Sequence, residues 1–219
     1  MMDRMGSRES MRSMGSMEPM LKTWRGIRLI LGGAASGKSE YAEKLALEGP
    51  NARVYLATMQ RSASAETRIR KHVDRRRDMG FITREDPMLD LSAWEGSAAG
   101  VILLEDLPNL LANRMFADGG TTSSADSDTK DSDTIVSASM PDPGSGNSQD
   151  IVLRLEEDIA RLAGHTEQLI IVSGNLFEDC EAYDDATKQY LNCLGELHRR
   201  LAVRAERVTE VVCGIPVDH

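Results

Sequence analysis

Eight consecutive residues carry the plainest chemistry in this chain. Gly32, Gly33, Ala34, Ala35, Ser36, Gly37, Lys38 and Ser39 fit the pattern G-x-x-x-x-G-K-[ST]. The glycines let the main chain wrap closely, so that successive N–H groups aim at phosphate oxygens. A helix opening at the end of the loop offers its positive end to the same anion. Lys38 is expected to reach the β- and γ-phosphates of a nucleoside triphosphate, and the Ser39 hydroxyl to ligate Mg2+. Such a site also calls for a carboxylate at the tip of a neighbouring strand. Glu105 and Asp106 follow the apolar run Val101-Ile102-Leu103-Leu104. Glu105 is the first candidate for a metal or water-mediated role, against the plainer reading that both acids only polarise a strand end.

A second constellation is the basic stretch Arg68-Ile69-Arg70-Lys71-His72-Val73-Asp74-Arg75-Arg76-Arg77. Read plainly, it is a solvated helix face with a solvated histidine. Read chemically, its Arg forks match phosphate oxygens. A neutral His72 imidazole beside them is a competent nucleophile toward an activated phosphorus.

The elements that must position these groups follow from periodicity. Ile27 to Leu31 is a short apolar run ending in Gly-Gly and reads as a buried parallel strand. Ser39 to Glu48 carries Tyr41, Ala42, Leu45 and Ala46 at helical spacing, and Gly49-Pro50 stops it. Arg53 to Ala57 reads as a strand, Ala65 to Arg77 as a charged helix and Gly80 to Thr83 as a short strand. Val101 to Glu105 is a strand, and Leu107 to Phe116 is a helix that tolerates Pro108 in its first turn. Ile151, Leu155, Ile159 and Leu162 mark a helix ending near Gly164. Leu169 to Val172 is a strand, Asp184 to Ala205 a long helix, and Val208 to Cys213 the final strand. Strands alternate with helices throughout. The expected fold class is α/β, a P-loop NTPase-like domain with a mainly parallel sheet and helices on both faces.

Composition bounds the rest. The 219 residues suffice for one sizeable α/β domain. Aromatics make up only 4% of the chain, so the core must rest on Leu, Ile, Val, Ala and Met. Of the net charge of −9, much is local. Residues 117–150 hold seven Asp against one Lys, in a Ser-, Thr-, Gly- and Pro-rich stretch without periodicity. Such composition cannot bury enough apolar area to offset its chain entropy, and it reads as a disordered acidic insertion within a domain spanning residues 26–219. No broad basic face invites nucleic acid. No run reaches the roughly 18 apolar residues a membrane span needs. Residues 1–25 carry seven Met but no apolar block, and read as a disordered leader rather than a secretory signal. Met20, just ahead of the first strand, is a candidate true start. Cys180, Cys193 and Cys213 follow no metal-ligand spacing and read as reduced thiols. A cytoplasmic location is the default.

With these residues in hand, the chain resembles the bifunctional adenosylcobinamide kinase/adenosylcobinamide-phosphate guanylyltransferase family of cobalamin assembly. The resemblance rests on an ordered series. The loop Gly32 to Ser39 is followed by Tyr55-Leu56-Ala57-Thr58, then by Arg68-Ile69-x-x-His72 with Arg75-Arg76. Thr83, Glu85 and Pro87 come next, then Leu103-Leu104-Glu105 with Asn113, and finally Gly214-Ile215-Pro216. The series is dense over residues 27–116 and sparse over 150–216.

The resemblance implies two reactions. One phosphorylates the aminopropanol hydroxyl of adenosylcobinamide with ATP or GTP. The other transfers GMP from GTP to that phosphate through a histidine–GMP intermediate, releasing pyrophosphate. By position His72 is the nucleophile, and Lys38 shares the catalytic role. Gly32 to Ser39, Glu85 and Glu105 are the implied nucleotide contacts, and Ser39 with Glu105 the Mg2+ ligands. The partners are GTP or ATP and a corrinoid, and the resemblance implies a homo-oligomer.

The chain also departs from the family's pattern. Ala35 stands where the family usually has Arg. Arg61-Ser62-Ala63-Ser64 replaces an acidic pair. Gly174-Asn175-Leu176-Phe177-Glu178 replaces Asn-Glu-Val-Gly, and no Gly-Ile-Val-Pro follows. Leu191-Asn192 stands for an Arg-Asp pair, and Gly195-Glu196-Leu197-His198-Arg199 for Gly-x-x-Asn-Gln. Two alternatives therefore stay open. One is a kinase that has lost the guanylyl step. The other is a nucleotide-binding regulatory or scaffold protein without transferase activity.

Overall fold

A computed structural model describes residues 24–60, 76, 79–94, 99–116, 148–175 and 183–219. Residues 1–23 of the expected leader, residues 117–147 of the acidic insertion, His72 and Cys180 lie outside the described residues, as does all of the expected helix Ala65 to Arg77 except Arg76.

Seven strands form one sheet in the order β3-β2-β4-β5-β1-β6-β7. They are β1 (Trp24–Gly32), β2 (Arg53–Ala57), β3 (Phe81–Glu85), β4 (Ala99–Glu105), β5 (Thr166–Gly174), β6 (Ala205–Val212) and β7 (Ile215–Asp218). Every pairing is parallel except β6 with β7. The sheet is therefore mainly parallel, and the expected α/β class holds.

Among the described residues, four α-helices cover it. Helix α1 (Lys38–Glu48) lies on one face. It buries Ala42, Leu45 and Ala46 against Ile30, Tyr55, Leu103, Ile170 and Val172. Helices α2 (Leu107–Phe116), α3 (Ser148–Ala163) and α4 (Asp185–Arg204) bury Leu110, Leu155, Ile159, Leu194 and Leu197 against the other face. The strands alternate accordingly. Leu29, Leu104 and Ile171 point to the three-helix side, while Ile30, Leu103 and Ile170 point to α1. A strand buried on both faces must be apolar at every position, which is why Val101 to Leu104 reads as one unbroken hydrophobic run. Each such Leu or Ile taken out of water contributes about 2 kcal/mol.

The chain crosses the sheet before it returns. From β1 it passes through α1 to β2, three strands away, and β4 and β5 later fill the gap. The C-terminal edges of β1, β2 and β4 are thereby aligned on one rim, with Gly32, Ala57 and Glu105 at their ends. Arg53 fixes the far end of α1. Its Nε donates to the Ala46 carbonyl at 2.9 Å, and Nη2 donates to Leu47 at 3.1 Å, capping carbonyls that the helix leaves open.

Several boundaries differ from expectation by a few residues, among them the first and last residues of β3, β5 and β6, and three differences stand out. β1 begins at Trp24, inside the expected leader, and α3 begins at Ser148, inside the expected insertion. The larger correction is at the C-terminus. Val208 to Cys213 is not the final strand, because β6 ends at Val212 and the chain turns back through Cys213 and Gly214 into β7. Both turn residues have positive φ, +50° and +80°. Pro216 sits on β7, an edge strand, where a missing N–H costs nothing in the ladder.

Candidate active site

The loop between β1 and α1 has the conformation its sequence calls for. Gly37 has φ +91° and opens α1 as its N-cap. Tyr41 N donates to the Gly37 carbonyl at 3.0 Å, the first helical bond. Gly32 has no room for a side chain, since a Cβ there would stand 2.8 Å from the Val211 carbonyl oxygen. Ala35, at the tip, takes φ +52°, a strained setting for a residue with a Cβ. Lys38 Nζ donates back to the Gly33 carbonyl at 3.1 Å, so its ammonium lies across the mouth of the loop.

Glu105 closes the other side. Ser39 Oγ donates to Glu105 Oε1 at 2.6 Å, joining α1 to the end of β4. The second carboxylate oxygen, Oε2, is buried and takes no hydrogen bond among the described residues. A buried carboxylate oxygen left open is costly unless a cation or donor completes it. Asp106 is turned elsewhere. Its Oδ1 accepts the Asn109 amide at 2.9 Å, and its carbonyl accepts Leu110 N, so it caps α2. Burial pushes its carboxyl up to about 6, further raised by Glu105 and opposed by the Asn109 amide and Lys38. Of the two acids, Glu105 is the one facing Ser39.

A second layer holds Glu105 in place. Thr58 is fully buried. Its N–H donates to the Glu105 carbonyl at 3.1 Å. Its hydroxyl donates to the Asp106 carbonyl at 2.7 Å and accepts the Asp106 amide at 2.8 Å. Asn113 Nδ2 donates to the carbonyls of Thr58 and Pro87, both at 2.8 Å, tying α2 to the ends of β2 and β3. Thr58 and Asn113 were visible in sequence only as parts of a resemblance; their work is to pin the strand ends.

The β6–β7 turn supports the loop from behind. Gly214 N donates to the Ser36 carbonyl at 2.7 Å. A Cβ at Gly37 would stand 3.3 Å from Gly214 Cα. On the third side, Asn175 N donates to the Gly32 carbonyl at 2.9 Å. Just before it, Ser173 Oγ lies 2.6 Å from His198 Nε2 of α4. Burial pulls the His198 imidazole down to about 4.

The geometry brings together Gly32 to Ser39 and Glu105. It does not bring Glu85 to the loop. Glu85 ends β3, four inter-strand spacings from β1, or roughly 19 Å along the same rim. His72 lies outside the described residues. Arg76, which sequence gave only as part of the basic run and of the resemblance, is buried with its Cζ 3.2 Å from the Tyr55 ring centroid.

A family model described as cobinamide kinase / cobinamide phosphate guanyltransferase matches residues 28–219. The chain belongs to this family. The match runs through β7, so it includes the C-terminal part where the quoted motifs are sparse. A curated family relative, the bifunctional adenosylcobalamin biosynthesis protein CobP of Pseudomonas aeruginosa, is 31% identical over 192 residues, covering 86% of this chain and 94% of CobP. Among solved structures, the flagellar accessory protein FlaH of Methanocaldococcus jannaschii superposes with a TM-score of 0.42 at 13% identity, over 86% of this chain and 72% of FlaH. Family membership makes the chain a nucleotide-using transferase of the kinase and guanylyltransferase type, in cobalamin biosynthesis.

Proposed function

We propose that the chain phosphorylates adenosylcobinamide with a nucleoside triphosphate, and then transfers GMP from GTP to the cobinamide phosphate through a His72–GMP intermediate. The observation that carries the nucleotide site is the Ser39–Glu105 hydrogen bond at 2.6 Å beside a loop mouth crossed by Lys38.

The donor set fits Mg2+. One hydroxyl and one carboxylate with an open buried oxygen match an ion that takes one or two protein ligands and fills its remaining positions with phosphate and water. Ser39 and Glu105 would hold it, and it would supply charge neutralisation at the transferring phosphoryl oxygens.

The chain's own groups do the rest. Loop amides and Lys38 fix the polyphosphate so that its reacting phosphorus is presented at the rim. In the first reaction the cobinamide hydroxyl oxygen bonds to the γ-phosphorus. The bond to the β–γ bridging oxygen breaks, and the hydroxyl proton leaves to solvent or a base. In the second, a ring nitrogen of neutral His72 bonds to the α-phosphorus of GTP and pyrophosphate departs. A cobinamide phosphate oxygen then bonds to that phosphorus and releases the histidine. Glu85, distant from the loop along the rim, is assigned to the far end of the bound nucleotide or its acceptor.

One observation favours a narrower reading, kinase activity alone. Leu191, in place of the family's Arg, packs against the core rather than presenting a charge. Edge strand β7 exposes Ile215 and Val217, which supports association between copies.

The test is labelling with α-32P-GTP. Label retained after denaturation in the parent and lost in His72→Ala supports the guanylyl step. Equal labelling in both rules out the histidine assignment. Accumulation of cobinamide phosphate without GDP-cobinamide selects the kinase-only reading.

A further inference from the structure

The β6–β7 hairpin bears on the phosphate loop at three points. The Gly214 amide donates to the Ser36 carbonyl at 2.7 Å. Gly214 Cα stands 3.3 Å from where a Cβ on Gly37 would lie, and the Val211 carbonyl oxygen 2.8 Å from where one on Gly32 would lie. These contacts answer a requirement of the loop itself. If its amides face a polyphosphate, its carbonyls must face away and find donors elsewhere. The Gly32 carbonyl takes the Asn175 amide, Gly33 takes the Ser36 amide and Lys38 Nζ, and Gly37 takes the Tyr41 amide. The Ser36 carbonyl takes its donor from the turn of the hairpin. Ser36 lies between Ala35 at φ +52° and Gly37 at φ +91°. Two left-handed settings so close together persist only where the surroundings hold them, and the hairpin is part of that hold.

Apolar burial does little to fix the outer strand of the hairpin. β7 has four residues, all exposed, and lies at the edge of the sheet. Pro216 brings no N–H to the ladder. A short pairing of this kind is marginal without further ties. Asp218 supplies them. Its Oδ1 accepts the Thr209 hydroxyl at 2.7 Å, and its Oδ2 accepts Arg207 Nη1 at 2.8 Å. The Thr209 hydroxyl first, and the Arg207 and Arg28 guanidiniums after it, hold the Asp218 carboxyl below the usual carboxylate range. Thr209 is buried, stands opposite Asp218 on β6, and on its other side stands opposite Ile30 of β1, the strand that feeds the loop. The contacts therefore close a ring, from β1 through Thr209 and Asp218 along β7 to Gly214 and back to the loop at Ser36.

We propose that Asp218, clamped to Thr209 and Arg207, is a positioning residue that locks β7 in register, so that the β6–β7 turn holds the phosphate loop in its triphosphate-binding shape. The inference rests on the reading of Gly32 to Ser39 as the polyphosphate site. Asp218 touches no nucleotide in this role; it acts through Gly214 and Ser36. The role also gives a task to Gly214-Ile215-Pro216, a motif that the two reactions leave unused. The glycine carries the turn and its donor, and Ile215 and Pro216 pair with Val212 and Val211 to start β7.

The test is calorimetric titration of the full chain with GTP, in Mg2+ and in EDTA, together with amide hydrogen exchange at Gly214. Asp218→Ala is expected to weaken GTP binding by about fivefold and to speed exchange of the Gly214 amide. The loss should be equal in Mg2+ and in EDTA, because the hairpin bears on the loop and not on Ser39 or Glu105. The thermal midpoint should stay within about 4 °C of the parent, because β7 buries no side chain. Asp218→Asn keeps an acceptor for Thr209 and should recover part of the affinity. Thr209→Val removes the bond from the other side and should reproduce Asp218→Ala, and the double variant should fall no further than either single one. If Thr209→Val does not fold, the two half-exposed Asp218 variants carry the test. Parental GTP affinity or parental Gly214 exchange in Asp218→Ala overturns the proposal. So does a loss confined to Mg2+, or one accompanied by collapse of the midpoint, the mark of a purely structural role. A parent that binds no GTP in either condition would instead overturn the reading of the loop.

Discussion

His198 gives a prediction whose size follows from the structure. Its Nε2 lies 2.6 Å from Ser173 Oγ, between α4 and the end of β5. Burial holds its pKa near 4, against about 6.5 for an unfolded histidine. Between those values the unfolded chain binds a proton that the folded chain does not. Stability from this residue is therefore complete above pH 6.5, and falls as the pH drops toward 4. Linkage converts the gap to about 2 kcal/mol lost by pH 5, and to about 3 kcal/mol once the pH lies well below 4. The perturbation is His198→Asn, which cannot titrate, keeps a donor and an acceptor for Ser173, and restores the residue type the family carries there. Urea unfolding of parent and variant at pH 7.5, 6 and 5 reads the effect as a difference of differences. Other titrating groups are common to both chains and cancel. The parent is expected to lose about 2 kcal/mol more than the variant between pH 7.5 and 5. Equal losses would refute the claim that burial keeps this imidazole neutral.

The remaining predictions concern the loop and the core. Gly37→Ala places a Cβ at φ +91° and 3.3 Å from Gly214 Cα. It should cost about 1–2 kcal/mol in thermal unfolding and weaken GTP binding in calorimetry. Gly214→Pro removes the N–H that donates to Ser36 and cannot adopt the φ of +80° held at that turn; it should both lower the unfolding midpoint and raise KM for the triphosphate. Leu104→Ala empties a fully buried site between β2 and β5, and should cost about 2–5 kcal/mol in denaturant unfolding.

Much of this architecture is legible in the sequence, and the exceptions have physical reasons. The bounds of β2 and α2 follow from apolar patterning with clear stops at each end. The phosphate loop is legible because its function dictates glycine, lysine and hydroxyl at fixed spacing, and Glu105 because an acid directly follows a buried apolar run. β7 is hidden because Gly-Ile-Pro reads as a chain end, while its strand character comes only from pairing with β6. The start of α3 is hidden because Ser148, Gln149 and Asp150 resemble the polar stretch before them and become helical by continuing α3 N-terminally. Arg76 is indistinguishable from Arg75 and Arg77 by type; only its contact with Tyr55 separates it. The Ser173–His198 bond joins residues 25 apart whose meeting depends on where α4 packs. Strand order is likewise decided by crossovers, since β1 lies between β5 and β6 although neither is its neighbour in sequence.

The central claim is that the amides of Gly32 to Ser39, with Lys38, grip a polyphosphate whose metal is held by Ser39 and Glu105. Calorimetry of the full chain with GTP in excess Mg2+, repeated for Lys38→Ala and Glu105→Gln, tests it most directly. Saturable binding is expected in the parent, with loss of at least about tenfold in affinity for Lys38→Ala and a weakened Mg2+ requirement for Glu105→Gln. A well-folded parent that gives no heat with Mg·GTP or Mg·ATP, or variants that bind as the parent does, would contradict it.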